Sequence, residues 1–326
     1  MKPPEGPLIG ADLRRGPFRA GDRVQLTDAK GRHHTFQLES GKAFHTHRGI
    51  LEHDAVIGMP EGSLVTTASE VGYLALRPML QDYVLSMPRG AQIVYPKDAG
   101  QIVAMGDIFP GARVVEAGVG SGSLTLSLLQ AVGDGGSLLS IERREDFAII
   151  ARANVEAFFG GRHPSWDLRI GDFADVVVEA SEPGSIDRVV LDMLAPWENI
   201  EVAATVLAPG GGFIVYVATT TQLSRVAEDL RKHGGFTEPF AWETVVRTWH
   251  LEGLAVRPDH RMIGHTGFLI MTRRLAPGVE APPRRRRPAK GAYPVDSSWS
   301  AEELGERMVS EKKVRRLSRR ALSADE

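Results

Sequence analysis

Residues 113–124, Arg-Val-Val-Glu-Ala-Gly-Val-Gly-Ser-Gly-Ser-Leu, place Glu116 two positions before the first of three alternating glycines, Gly118, Gly120 and Gly122. Glycines at this spacing let the chain turn tightly without Cβ atoms. Backbone N–H groups can then approach a ligand at the start of the next helix, which Ser121, Ser123 and Leu124 lead into. Three more carboxylates follow, each at the end of a short apolar run: Glu142 after Ser137–Ile141, Asp172 after Asp167–Ile170 and Asp192 after Asp187–Leu191. Glu142 can accept both hydroxyls of a ribose, and Asp172 can accept an adenine amino group while Phe173 covers the ring. Any one of these acids could instead cap a helix. Together they lay out a whole nucleotide-cofactor site at the C-terminal ends of successive strands, where open α/β sheets bind ligands.

Two cofactors suit such a loop. A dinucleotide loop reads Gly-x-Gly-x-x-Gly, and Ser123 stands where its third glycine belongs. The remaining pattern, Glu-x-Gly-x-Gly-x-Gly, resembles motif I of class I methyltransferases that use S-adenosylmethionine. That resemblance implies that Glu116 faces the methionine end of the cofactor, directly or through water.

A second motif points to the substrate. Val189-Val-Leu-Asp192-Met-Leu-Ala-Pro196-Trp197 stands where amino-group methyltransferases acting on nucleic acid carry Asp/Asn-Pro-Pro followed by an aromatic residue. With Tyr95-Pro96-Lys97-Asp98 upstream, Tyr216 in an apolar run, and Arg257–Phe268 as a late loop, residues 17–275 resemble the tRNA adenine-N1 methyltransferases that modify position 58. The resemblance implies catalytic roles for Asp192, Tyr95 and Tyr216, a place for Gln101 near the cofactor's methionine moiety, and substrate contacts from Pro196, Trp197, His265 and Thr266. It also implies a homotetramer as the working assembly. Tyr216 would equally suit an ordinary buried strand, and Gln101 an exposed helix position. Chemically, a carboxylate at Asp192 could accept a hydrogen bond from the exocyclic amino group, aim N1 at the sulfonium methyl and stabilise the cation that forms. The alternatives are a non-catalytic tRNA-binding subunit, a methyltransferase for another nucleic-acid adenine and a nicotinamide-linked oxidoreductase.

These residues need a scaffold, and the alternation of strand and helix patterns from about 98 to 275 predicts one. It is an α/β, Rossmann-like class I methyltransferase sheet, with a helix over Arg144–Phe159 and an antiparallel C-terminal hairpin of Glu243–Leu251 with Phe268–Thr272. Before it, short runs at Arg23–Thr27, Thr35–Leu38, Ser63–Thr67 and Val71–Leu76 predict a small all-β module, either barrel or sandwich. The expected domains are 1–76 (β-rich, accessory and tRNA-contacting), 77–275 (catalytic) and 276–326 (Pro/Arg-rich linker and basic helix, with Ser300 and Glu303 as a capping box). Residues 282–326 hold 12 Lys plus Arg against 7 Asp plus Glu, so a near-neutral chain of 39 against 41 divides into an acidic body and a basic tail. A basic tail can meet nucleic-acid phosphate or simply be solvated. The absence of cysteine excludes disulfides and thiolate metal sites and fits a cytoplasmic protein. No apolar run reaches the length of a membrane span. His45, His47 and His53 lack a partner acid cluster, so no metal is expected, and a surface or RNA-facing position is.

Overall fold

The N-terminal part forms six short strands, β1 (Arg23–Thr27), β2 (His33–Gln37), β3 (Ala43–Thr46), β4 (Gly49–Glu52), β5 (Ser63–Thr66) and β6 (Gly72–Leu76), and buried positions alternate with open ones most clearly in β6. The computed structural model describes residues 14–90 and 92–282; the basic tail and its expected helix lie outside the described residues. Four strands form an open antiparallel sheet in the order β2-β1-β6-β5, and β3 pairs with β4 as a separate hairpin. The hairpin contributes Leu51 to the same core as Val24, Leu26, Leu38, Val65 and Tyr73. Among the described residues β2 and β5 are the edges of this sheet, so it is open and the hairpin packs as a second layer. His53 departs from the surface position expected of it. It is buried, stacked on Phe36 at 4.9 Å, and its Nδ1 accepts the Glu39 N–H at 3.0 Å. His45 and His47 are exposed.

The second part runs α1 (Leu80–Ser86), α2 (Pro96–Met105), β7 (Arg113–Ala117), α3 (Ser123–Val132), β8 (Ser137–Glu142), α4 (Glu145–Phe159), β9 (Trp166–Ile170) and α5 (Phe173–Ala180). It continues with β10 (Ile186–Asp192), α6 (Ile200–Val206), β11 (Leu207–Val217), α7 (Thr220–His233), β12 (Phe240–Trp242), β13 (Trp249–Glu252), β14 (Ala255–Pro258) and β15 (Phe268–Arg273). Seven of these strands form one sheet in the order β12-β15-β11-β10-β7-β8-β9. Strands β7 to β11 are parallel, and β15 runs antiparallel between β11 and β12. The chain winds outward from β7 in one direction and from β10 in the other, which makes the β7–β10 junction the topological switch point.

The late hairpin differs from expectation. The strand that pairs with β15 is Phe240–Trp242, whereas Trp249–Glu252 folds back on Ala255–Pro258 as an arm of its own. Glu252-Gly253-Leu254-Ala255 closes this local turn, with Gly253 at positive φ, so the nearer partner wins over the distant one.

Both faces of the sheet are covered. One carries Val114, Leu138, Val190 and Ile214 against α1, α2 and α3; the other carries Val115, Val189, Leu191 and Val215 against α5, α6 and α7. Period-2 alternation then assigns the polar residues. Glu116 pairs in register with Val190 and Ser140 and lies on the first face; Glu142, Asp192 and Tyr216 follow by the same parity.

Candidate active site

Glu116 sits beneath the glycine loop, 1 % exposed. Its Oε2 accepts the hydroxyls of Thr125 and Ser140 at 2.8 Å each, and Trp166 Nε1 donates to the Ser140 oxygen at 2.9 Å. Among the described residues its Oε1 has no partner. Burial pushes the carboxyl up to about 7, opposed by the two hydroxyls and reinforced by the charges of Asp192 and Glu142. Ser140 and Thr125 are polar residues inside otherwise apolar runs, and that placement is a sequence signal for a buried acid.

The loop above it is pinned from several sides. Gly118 (φ +85°) passes so close to the end of β10 that a Cβ there would stand 1.7 Å from the Asp192 carbonyl oxygen. Gly122 (φ +81°) is the N-cap of α3 and offers no side chain to its first N–H groups. Glu142 accepts the Gly120 N–H through one oxygen and the Arg144 N–H through the other, both at 3.0 Å. Ser121 and Ser123 turn inward: the Ser121 hydroxyl accepts the Gly90 N–H, and the Ser123 hydroxyl donates to the Val94 carbonyl at 2.7 Å. Leu124 is buried in the core. What the loop presents outward is therefore its backbone.

On the same side of the switch point as Glu142, beyond β9, Asp172 is exposed at the N-cap of α5, with Arg143 at 3.7 Å. Phe173 is buried with Val177 and Ile141, so most of its ring belongs to the core. Asp192 ends β10 and is the register partner of Tyr216 on β11. Desolvation, then the charge of Glu142, pushes its carboxyl up to about 7.

Tyr216 is buried, and among the described residues its Oη has no well-formed hydrogen bond. The phenol is pushed up to about 12, mainly by burial; the nearby Thr266 hydroxyl opposes this, and the charges of Asp98 and Asp192 add to it, as does Tyr95. The structure thus gathers Tyr95, Tyr216 and Asp192 at one place. Tyr95 is the N-cap of α2, and Gln101 lies half-buried along that helix.

Of the other expected substrate contacts, Thr266 and His265 already have polar partners, whereas the buried Trp197 Nε1 has none among the described residues. The Thr266 hydroxyl donates to Asp98 at 2.6 Å, and His265 pairs with Glu243 at 3.0 Å, which raises the imidazole above its usual range. Pro196 is buried, and Trp197 packs into the core under the Arg225 guanidinium, 4.3 Å from its ring centroid. An open cavity of about 600 Å³ lies at the opposite end of the sheet, lined by Arg113, Ser137, Trp166 and Ile186 at the starts of strands, away from these acids.

The loop and its acids suit S-adenosylmethionine. The orphaned Glu116 Oε1 and Asp192 offer negative charge to a cationic ligand, and the uncapped start of α3 offers N–H donors to a carboxylate. Comparison with known proteins agrees. Residues 16–65 match the family described as TrmI-like N-terminal. Residues 73–256, more than half of the chain, match the family described as tRNA methyltransferase complex GCD14 subunit. The tRNA (adenine(58)-N(1))-methyltransferase TrmI of Thermus thermophilus is 35 % identical over 76 % of this chain and 95 % of its own length. The chain belongs to the tRNA (adenine-N1)-methyltransferase family. It is accordingly an S-adenosylmethionine-dependent enzyme, which closes the oxidoreductase alternative. Among solved structures, the tRNA (m1A58) methyltransferase TrmI of Aquifex aeolicus superposes with a TM-score of 0.70 at 25 % identity, covering 80 % of this chain and 100 % of that one. A SAM-dependent O-methyltransferase of Thermotoga maritima superposes with a TM-score of 0.75 at 30 % identity, covering 81 % of this chain and 96 % of that one. In this methyltransferase the glycine loop and the acid after β10 meet at the switch point, where the fold places its ligands.

Proposed function

We propose that this methyltransferase acts on N1 of adenine 58 in the T-loop of tRNA, giving 1-methyladenosine, with Asp192 as the group that handles the base. The observation that carries this reading is the pairing of Asp192 with Tyr216 beside the cofactor loop. S-Adenosylmethionine, when bound, supplies an electrophilic sulfonium methyl. Glu116, Glu142, the α3 N-terminus and the backbone of Gly118 to Gly122 would hold it, with Asp172 and Phe173 at its adenine end and Gln101 at its methionine end.

Adenine N1 is a weak nucleophile whose lone pair lies in the ring plane, so orientation matters more than activation. Tyr95 and Tyr216 give an extruded base aromatic faces, which offset part of the cost of unstacking it. Asp192 accepts from the exocyclic amino group and stabilises the positive charge that reaches the ring as the methyl arrives. Fixing the orientation of the extruded base between Tyr95, Tyr216 and Asp192 would supply much of the remaining acceleration.

Assembly is part of the same reading. The arm around β13 and β14 exposes Trp249, Leu251, Leu254 and Val256, flanked by Met262 and Ile263. An apolar patch of this kind calls for cover, and a second copy of the chain supplies it on the way to a homotetramer. The β-rich module before the catalytic part would add contact area for tRNA.

The test is methyl transfer from labelled S-adenosylmethionine to unmodified tRNA, read by nucleoside mass spectrometry and primer extension. 1-Methyladenosine at position 58 is expected. Transfer to a different atom or site would overturn the assignment.

A further inference from the structure

Lys97 and Asp98 follow Tyr95 and Pro96 in the first turn of α2, and both side chains are almost fully buried, at 6 % and 0 % exposure. The Lys97 ammonium has three N–H donors and three partners. It donates to Asp98 (2.8 Å to Oδ1), to the backbone carbonyl of Thr244 (2.7 Å) and to the Thr266 hydroxyl (2.6 Å). The Thr266 hydroxyl in turn donates to Asp98 Oδ2 at 2.6 Å. All four groups are thus satisfied within one buried cluster, as burial of a charge pair requires.

The cluster's position matters as much as its chemistry. Thr244 stands two residues after β12 and Thr266 two residues before β15, so the cluster ties both ends of the 245–265 segment to the start of α2. The residue after Thr266 is Gly267, and a Cβ there would stand 2.3 Å from the Tyr216 ring. The backbone at Thr266–Gly267 therefore lies directly on that ring. At the other end of the cluster, Asp98 and Lys97 are on the same helical turn that Tyr95 caps, and the Asp98 N–H donates to the Tyr95 carbonyl at 2.9 Å. Among the described residues no well-formed hydrogen bond fixes the Tyr216 hydroxyl, and the polar group that acts on it from this cluster is the Thr266 hydroxyl.

We infer that Lys97, Asp98 and Thr266 act as one positioning unit for the base pocket, setting Tyr95 and Tyr216 by fastening the 266–267 backbone to the N-terminus of α2. On this reading Thr266 acts through its neighbours and does not bind substrate. The inference rests on Tyr95, Tyr216 and Asp192 forming that pocket.

The deciding variant is Thr266→Val, which keeps the shape and the Lys97–Asp98 pair but removes the hydroxyl that bridges them to the late loop. A base held loosely loses turnover, and a displacement of about 1 Å costs on the order of 10²-fold. We expect kcat for tRNA methylation to fall by about 10- to 100-fold, S-adenosylmethionine Kd by calorimetry to stay within about twofold, and Thr266→Ser to recover most of kcat. Lys97→Met tests the same unit from the other side and must show the same split between kcat and cofactor Kd. If it does not fold, the threonine pair still decides. Asp192→Ala is run in parallel. If it abolishes transfer while Thr266→Val leaves kcat unchanged, or if Thr266→Ser fails to recover it, the positioning role is wrong and the pocket stands. If Asp192→Ala is fully active, the pocket assignment itself fails.

Discussion

Asp192 and Tyr216 are register partners on adjacent parallel strands, β10 and β11, so their side chains leave the sheet on the same face and at the same level. Glu116 and Glu142 share that face on β7 and β8. The acids expected to meet the cofactor and the residues proposed to handle the base thus share one face near the C-terminal edge of the sheet, with Glu116 two residues deeper than the Asp192–Tyr216 pair.

Asp192→Ala should separate binding from chemistry. The Gly118–Gly122 backbone and the Glu116 cluster remain intact in this variant, so S-adenosylmethionine should still bind. Methyl transfer should fall by roughly 10²- to 10⁴-fold, the usual cost of removing such a group. Single-turnover transfer to tRNA, beside calorimetry with the cofactor, measures both; an unchanged rate would refute the role given to Asp192.

The buried acids predict a pH dependence with a definite sign. Asp192 and Glu116 are both raised to about 7, from ordinary values of 3.8 and 4.5. Between about pH 4 and 7 the unfolded chain has therefore lost protons that the folded one keeps, and the cofactor-free protein should lose stability as pH rises through that window. A cofactor carrying a sulfonium charge favours the ionised acids, so its affinity should rise over the same window, and more steeply than that of the product, whose thioether sulfur is neutral. Because the acids interact, the inflection belongs to the cluster. Melting temperature and both Kd values at pH 5.5, 6.5 and 7.5 would check this; equal pH slopes for the two ligands would contradict it.

Gly118→Ala should be severe. Its φ of +85° costs an L-residue about 1–2 kcal/mol, and the new Cβ would meet the Asp192 carbonyl oxygen at 1.7 Å. Either the loop or the end of β10 must move. Cofactor affinity and turnover should both drop, with a lower melting temperature. Near-normal cofactor binding in this variant would show that the close approach is not needed.

The exposed arm predicts the assembly. Leu251→Asp with Leu254→Asp places charge on two of its most exposed apolar residues, far from the core, so the fold should survive. Light scattering after size exclusion should show a smaller species than the parent. If the parent is already a monomer, or if the variant keeps the parent's mass, the arm is not an interface between copies.

The sequence by itself determined the parallel sheet, the cofactor loop and the acids, because these rest on local rules. Glycine permits positive φ at Gly118 and Gly122, and apolar runs of the right length become buried strands that end near Glu142 and Asp192, whereas the common face of Glu116 and Asp192 comes from the register of β7 with β10. The family resemblance carried by the Asp192–Trp197 and Tyr95–Asp98 motifs then named the reaction. Tertiary structure alone decided which strands pair at the late edge and which motif residues are free to meet a ligand. Trp249–Glu252 reads as well beside β15 as beside β14, and only the competition between a tight local turn and a distant partner selects the arm. Thr266 and Lys97 lie 169 positions apart, and no local pattern announces their contact. A buried ammonium must find acceptors wherever the fold brings them, and here it finds them on the loop that rests against Tyr216.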